Sequence, residues 1–385
     1  MDAADVAALR RIRVSLWDVE GRPGFFSSWD FSAVDPCDSF AGVTCSGSRV
    51  SVLELGTGLS GSPGLAGYLS PAIAWLGELN QLILFGGAVA GPIPPELGSL
   101  RNLRVLSLTG NRLTGEIPAR IFGLGNLHTL DLSRNRLSGS LPPAFPLLGQ
   151  LRVLVLAGNG LQGEMPRFLP EQLFHLDFSH NNLSGTLPSR MPATLRYLSA
   201  ANNRLTGDLD GLLDPLSELA YLDLSANQFG GPLPDSLFNR SSVTSILLQR
   251  NNFTGTLPRS QPPPTKAPGS TVDLSHNSLE GELTAAFIGV EVLYLNNNRL
   301  TGGVPKEYIS SVEAGSMETL YLQHNFLTEF PMEVGTSLPD TAAVCVSYNC
   351  ISEPPIGLST CPTSAGDQLS RPPEQCSWLP SKLLA

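Results

Sequence analysis

Between Leu100 and Leu124 the chain reads LRNLRVLSLTGNRLTGEIPARIFGL: leucines at fixed offsets, an asparagine, then Gly-Glu-Ile-Pro. The alternation Leu106-Ser107-Leu108 predicts a short strand with both leucines turned inward and Ser107 outward. The same frame returns as LHTLDLSRNRLSGSLP from Leu127, LRVLVLAGNGLQGEMP from Leu151 and LAYLDLSANQFGGPLP from Leu219. Measured on the asparagine, the series runs Asn111, Asn135, Asn159, Asn181, Asn203, Asn227, Asn251, Asn277, Asn298, Asn325 and Asn349, with Gly87 in that place one unit earlier. The spacings lie between 21 and 27 residues and are most often 24. That is too short for a unit that folds alone and right for one turn of a solenoid, whose apolar face is buried only by the turns on either side.

Each repeated position then has a structural reason. After the strand the chain bends sharply, and a buried asparagine amide, with two donors and an acceptor, satisfies the backbone groups freed by the bend. The pairs Gly115 and Pro118, Gly139 and Pro142, and Gly231 and Pro234 supply permissive and fixed backbone angles for a second corner. The eleven asparagines are therefore read as a structural ladder and not as a site.

Composition narrows the class. With 15% charged and 42% hydrophobic residues, the 385-residue chain is not disordered, and a solenoid of this length forms one elongated domain with caps. The least polar stretch, Leu79 to Pro95, is broken by Asn80, Gln81, glycines and prolines, so no membrane span is predicted. A formal net charge of −10 argues against a nucleic-acid partner, which needs clustered Lys and Arg. Five histidines and six cysteines fall at no metal-finger or redox spacing, and no phosphate loop, nucleophile elbow or kinase signature occurs. No cofactor, metal or catalytic activity is expected.

The cysteines sit at the ends, where the terminal turns of a solenoid need covering: Cys37 and Cys45 ahead of the repeats, then Cys345, Cys350, Cys361 and Cys376. Cys37 with Cys45 is read as an N-cap disulfide. The C-terminal four allow three pairings, among which the sequence does not choose, with a zinc site as the minor alternative. Cys345 occupies an outward strand slot between Val344 and Val346. The stretch DVAALRRIRVSLW predicts a capping helix opened by Asp5 as N-cap. The boundaries expected are a cap over 1–48, about 12–13 turns over 49–351, and a C-terminal cap and tail over 352–385. Asn182, Asn239 and Asn252 head glycosylation sequons. The start MDAADVAALRR lacks the character of a secretory signal, which implies either numbering from near a mature N-terminus or a truncated reading frame. Cysteine placement nonetheless predicts an oxidising, extracellular setting.

The unit LxxLxxLxLxxNxLxGxIPxxLxxL, the helix DVAALRRIRVSLW, the segment FFSSWD and the cap DPCDSFAGVTC together resemble a plant extracellular leucine-rich-repeat protein of the receptor-like class, over roughly residues 5 to 350. The resemblance implies an α/β repeat fold: a right-handed solenoid with a parallel sheet on its concave face, a 3-10 or irregular convex side, an N-terminal helical cap and a C-terminal disulfide cap. It implies a location in the apoplast or at the cell surface. It also implies a non-catalytic module that binds a peptide, glycan or protein partner, such as a receptor-kinase ectodomain or a cell-wall component, with roles in signalling or defence. Phe40 stands where the family cap usually has Trp, and neither a transmembrane helix nor a kinase domain follows Cys376, so a complete receptor kinase is not expected.

Candidate binding residues are the outward slots counted from each asparagine. Early turns are bland. Tyr197 and Tyr221 stand six residues before their asparagines, and Arg250, Asp273, His276, Tyr294, Asn297, Tyr321 and His324 then follow on consecutive turns. Tyr, Arg and His supply most interface anchors, so this patch is the expected partner site. Its histidines predict binding that responds to acidity around pH 6 to 7. Asp131, Asp177, Asp223 and Asp273 belong to a common LDLS phrasing and are read as mostly structural, Asp273 standing also in the candidate patch. The alternative function is inhibition of a cell-wall-degrading enzyme, as in polygalacturonase-inhibitor-like proteins, against which the acidic balance stands. Acid–base pairs such as Asp273 with His276 are set aside for want of a pocket or nucleophile. The proline-rich stretch Pro258–Thr271 is expected to be a tolerated loop on the outer side.

Overall fold

The computed structural model describes the chain apart from residues 20–23, 33–34, 58–63, 143–146, 259–268, 333–337, 353–360, 367 and 377–385. It divides into two compact units, Met1–Arg204 and Leu205–Ala385. Most of the proline-rich stretch lies outside the described residues.

In the first unit the LxL strands form one sheet. Val43–Ser46 pairs antiparallel with Arg49–Leu55, and Gln81–Leu84, Val105–Ser107, Thr129–Asp131, Val153–Val155, His175–Asp177 and Tyr197–Ser199 follow in parallel. Leu106, Leu130, Leu154, Leu176 and Leu198 stand in direct register, each fully buried. The second unit repeats the arrangement with Tyr221–Asp223, Ser245–Leu247, Thr271–Asp273, Val292–Tyr294, Thr319–Tyr321 and Ala343–Cys345. The expected solenoid is present in both units. Short 3-10 helices such as Pro95–Ser99 and Ala119–Gly123 occupy the far side of the turns.

A second parallel sheet was not anticipated. The residues after each asparagine form strands of their own, for example Arg112–Gly115, Arg136–Ser140 and Gly160–Glu164 in the first unit and Asn252–Thr256, Ser278–Glu282 and Arg299–Gly303 in the second. Leu113, Leu137 and Leu161 point inward from them while their neighbours face solvent. Each strand is offset by two residues from the last, so that Ser138 opposes Gly160 and Gly139 opposes Leu161. The LxG phrase thus makes a strand before it makes a corner.

The asparagine ladder holds in detail. Asn135 Oδ1 accepts from the Leu113 N–H of the preceding turn, while its Nδ2 donates to the carbonyls of Leu108, Leu132 and Ser133. Gly87 breaks the series for a steric reason: a Cβ there would lie 2.6 Å from the Leu65 carbonyl oxygen.

The caps follow the sequence with one correction. The helix is Ala3–Ser15, and its N-cap is Asp2, whose carboxylate accepts from Ala4 N at 2.8 Å. Asp5 lies inside the helix, buried, and binds Arg49. Asp5 stands at the third helical position with its side chain on the core-facing side, so its carboxylate reaches Arg49 and the Val50 N–H, and the capping acceptor comes from Asp2 instead. Phe40 stacks on Trp29 at 5.1 Å, so a smaller ring still completes the cap's aromatic cluster. Cys37 pairs with Cys45, Cys345 with Cys361 and Cys350 with Cys376, which leaves the C-terminal four no zinc-binding thiolates.

Candidate functional site

The candidate residues occupy two kinds of position, not one. Tyr197 and Tyr221 begin strands, and Asp273, Tyr294 and Tyr321 end them, all half-buried on the solvent side of the first sheet. Arg250, His276, Asn297 and His324 lie beyond the strand ends, in a turn. Their φ angles are 58°, 54°, 57° and 59°. Every non-glycine residue of positive φ, nine among the described residues, falls in this one slot before the asparagine, and Gly110 and Gly158 fill it elsewhere. A side chain held there costs of order 1 kcal/mol relative to glycine. The glycines at 110 and 158 were the signal for a left-handed turn, and the outward-strand assignment of these four residues is corrected accordingly.

In the second unit the structure assembles most of the expected patch. Tyr294 and Tyr321 pack edge to face with centroids 5.2 Å apart. Asp273 opposes Tyr294 in the register, and its Oδ1 accepts from Ser275 N at 2.9 Å. Burial raises the Asp273 carboxyl above the ordinary range, opposed by the Ser275 hydrogen bonds and the charge of Arg250. Asn297 Nδ2 lies 3.3 Å from His276 Nε2. Burial also raises the Tyr294 phenol, with Tyr321 and Asp273 contributing. A desolvated carboxylate beside Tyr294, with Tyr321 one turn beyond and the charge of Arg250 near it, can take a hydrogen-bond donor or a cation from a ligand.

Three candidates stand apart. His324 Nε2 is 3.0 Å from the Ala365 carbonyl, and its ring lies 4.9 Å from Tyr348, so the C-terminal cap already engages it. Arg371 from the same cap sits over the Phe326 and Tyr348 rings at 4.1 and 4.6 Å. Tyr197 belongs to the first unit, where it stacks flat on His175 at 4.1 Å. Tyr221 directs its hydroxyl at Asp223 Oδ2, 3.5 Å away. Asn239 and Asn252 are exposed, whereas Asn182 is half-buried.

Sequence reasoning missed Gln323. It is 3% exposed, and its Oε1 has no hydrogen-bond partner among the described residues, although it sits between Tyr321 and His324. The signal was in the slot two before the asparagine, which holds Thr, Ser or Ala in most turns but Gln249, Asn296 and Gln323 in three. A buried acceptor without a donor is costly, and a bound molecule or water would relieve it.

The histidines also make stability depend on acidity. The His276 side chain is exposed and only partly desolvated, and this partial desolvation together with the positive charges of Arg250 and His324 lowers it from its usual 6.5. His175 is lowered by burial too, against the pull of Asp177 and Asp131. A base whose folded pKa is depressed lets the unfolded chain take the proton first, so stability is full above pH 6.5 and falls as pH drops below it. The melting temperature is expected to decline from pH 6.5 towards 5, and His276→Asn, which tolerates the same turn, to decline less. An unchanged slope in the variant would remove His276 from the account.

Comparison with known proteins agrees with this architecture. The N-terminal cap matches the leucine rich repeat N-terminal domain over residues 2–46, and leucine rich repeat models match 101–161, 172–192 and 218–239. No curated protein matches significantly. Among solved structures, PEPR1 with AtPEP1 is 27% identical with a TM-score of 0.70, covering 90% of this chain and 52% of that one. The Arabidopsis receptor kinase HAESA with the peptide hormone IDA and co-receptor SERK1 is 27% identical with a TM-score of 0.65, covering 85% and 58%. A plant ice-binding protein is 25% identical with a TM-score of 0.60, covering 87% and 99%. The chain thus spans about half the length of the receptor ectodomains it matches. The repeat, the ladder, the paired-cysteine cap and these likenesses converge: the chain carries leucine rich repeats behind a leucine rich repeat N-terminal domain and is similar in fold to the ectodomains of plant receptor kinases.

Proposed function

We propose that the protein is a non-catalytic recognition module of the apoplast or cell surface that binds a peptide or protein partner on the strand face of its second unit. The observation that carries this reading is the cluster of Asp273, Tyr294 and Tyr321, a desolvated carboxylate between an arginine and two packed aromatics. No interior need of the fold accounts for it, since the inward leucines of those strands are already fully enclosed. The solved HAESA structure holds the peptide hormone IDA, which supports a peptide for this chain as well. A half-buried tyrosine at the centre of an interface is worth about 2 kcal/mol on truncation. Tyr321→Ala is therefore expected to weaken a partner captured from apoplastic fluid about thirtyfold while leaving the protein folded. Equal affinity of the wild type and Tyr321→Ala for that partner would refute the site.

A second reading rests on one observation, that the ice-binding protein is matched over 99% of its own length. Thr114, Ser138 and Ser184 hold the same place in their turns on the solvent side of the second sheet in the first unit, with Gln162 in that place between Ser138 and Ser184. Freezing-point depression by the purified protein would favour it. Under the recognition reading none is expected.

A further inference from the structure

In the first unit one slot is charged where the fold requires nothing. The residue that leads into each strand, seven before the asparagine, is in turn Arg104, His128, Arg152, Phe174 and Arg196. Each N–H donates to the carbonyl of its predecessor: His128 to Arg104 at 2.8 Å, Arg152 to His128 at 2.9 Å, Phe174 to Arg152 at 3.0 Å and Arg196 to Phe174 at 2.9 Å. The side chains therefore line up along one edge, about 4.8 Å from turn to turn. Arg104 and Arg152 are exposed and make no ion pair among the described residues, and Phe174 is 41% exposed. The same slot in the second unit holds Ala220, Thr244, Ser270, Glu291 and Glu318, so stacking does not demand a cation there.

We propose that this edge binds a linear polysaccharide rich in uronic acids, with carboxylates on the arginines and a sugar ring against Phe174. Arg104 and Arg152 stand two turns apart, about 10 Å. In a linear uronate chain whose successive sugars turn over, carboxylates on one side recur at every second ring, which suits arginines that alternate with aromatic rings. The guanidinium fork matches a carboxylate in two hydrogen bonds. The exposed amides of Gln150 and Gln172, two residues upstream, offer donors to hydroxyls. An acidic peptide fits less well. The backbone N–H groups of this edge are already bonded to the preceding turn, so none is left for a peptide to join as a strand. Asp131 and Asp177, farther along the strands, bound the track on its inner side and keep a polyanion off the strand face.

The test is affinity electrophoresis of the full chain in gels containing polygalacturonate, its fully methyl-esterified form or poly-glutamate. Polygalacturonate is expected to retard the protein, and more so at low salt. Arg104→Gln with Arg152→Gln should weaken that retardation at least tenfold and Phe174→Ala about threefold, at unchanged melting temperature because all three side chains are exposed. The esterified polymer should have no effect. No retardation of the wild type, equal retardation of the double variant, or equal retardation by poly-glutamate would each overturn the proposal. Tyr321→Ala should behave as wild type here, so this edge and the strand-face site of the second unit stand or fall separately.

Discussion

Asn325→Ala is expected to destabilise the second unit by about 4 kcal/mol, measured by urea unfolding, although it removes only one polar side chain from a surface-free position. Asn325 is fully buried. Its Oδ1 accepts from Leu300 N, and its Nδ2 donates to the carbonyls of Leu295 and Leu322, all at 3.0 Å. The three losses are unequal. Leu295 O keeps Asn298, and Leu322 O keeps Asn349, because each leucine carbonyl takes amides from two successive turns. Leu300 N–H keeps nothing and is buried without an acceptor, which alone costs about 1–3 kcal/mol. The two weakened carbonyls and the residual cavity make up the remainder. Asn325→Asp, of the same volume, should cost at least as much at pH 7, since it loses both donors and buries a charge. A loss below 1 kcal/mol for Asn325→Ala would mean that water replaces the amide and that the ladder is not what joins the turns.

The doubly shared carbonyl explains why the ladder is continuous within a unit. Leu132 O, for example, accepts from both Asn135 and Asn159. Each turn is therefore tied to the next by a polar column as well as by leucines in register, and the outward slots are left free to vary. In the second unit those slots hold a carboxylate, two tyrosines and strained turn residues. In the first they hold an arginine edge. Variation without loss of stacking is what lets one repeat carry different surfaces.

What the sequence revealed divides along the same line. The leucine and asparagine positions were legible because each has a single physical solution, and the 3.6-residue pattern of Leu9 and Ile12 located the cap helix. Asp5 was misplaced because an acidic residue near a helix start is equally suited to capping and to a tertiary ion pair, and only the position of Arg49 decides. The second sheet was hidden because Arg112-Leu113-Thr114-Gly115 carries only one inward residue per strand, too short an alternation to stand out. The left-handed slot was masked by some of its occupants: beside Gly110 and Gly158 it holds Arg134, Ala226 and Arg250, which are not residues that announce positive φ. The 22-residue spacings from Asn159 to Asn203 have a structural meaning as well. Their turns have no 3-10 helix, and Phe168 forms a bridge with Arg190 instead.

Asp5→Ala is expected to cost about 3 kcal/mol and to loosen the N-terminal cap before the repeats unfold. Asp5 is wholly buried, whereas the Arg49 side chain keeps 32% of its surface. Asp5 Oδ2 accepts from Arg49 Nε at 3.0 Å and from Val50 N at 2.8 Å, and Oδ1 accepts from Arg49 Nη2 at 2.9 Å. This one carboxylate thus ties the helix Ala3–Ser15 to the strand Arg49–Leu55 by its side chain and its backbone together. On its loss the guanidinium can turn to water, but Val50, itself fully buried, keeps an N–H without an acceptor. The reverse substitution, Arg49→Ala, should cost at least as much, because it leaves the buried carboxylate with only the Val50 N–H. Asp5→Asn retains an acceptor for Val50 and should fall between the wild type and Asp5→Ala. Hydrogen exchange gives the sharper readout: amides of residues 3–16 and 49–55 should lose protection in Asp5→Ala while those beyond Val105 keep theirs. A uniform loss of protection along the first unit would show instead that the cap and the repeats unfold as one, and the helix would then be an integral first turn and not a lid over the leucines behind it.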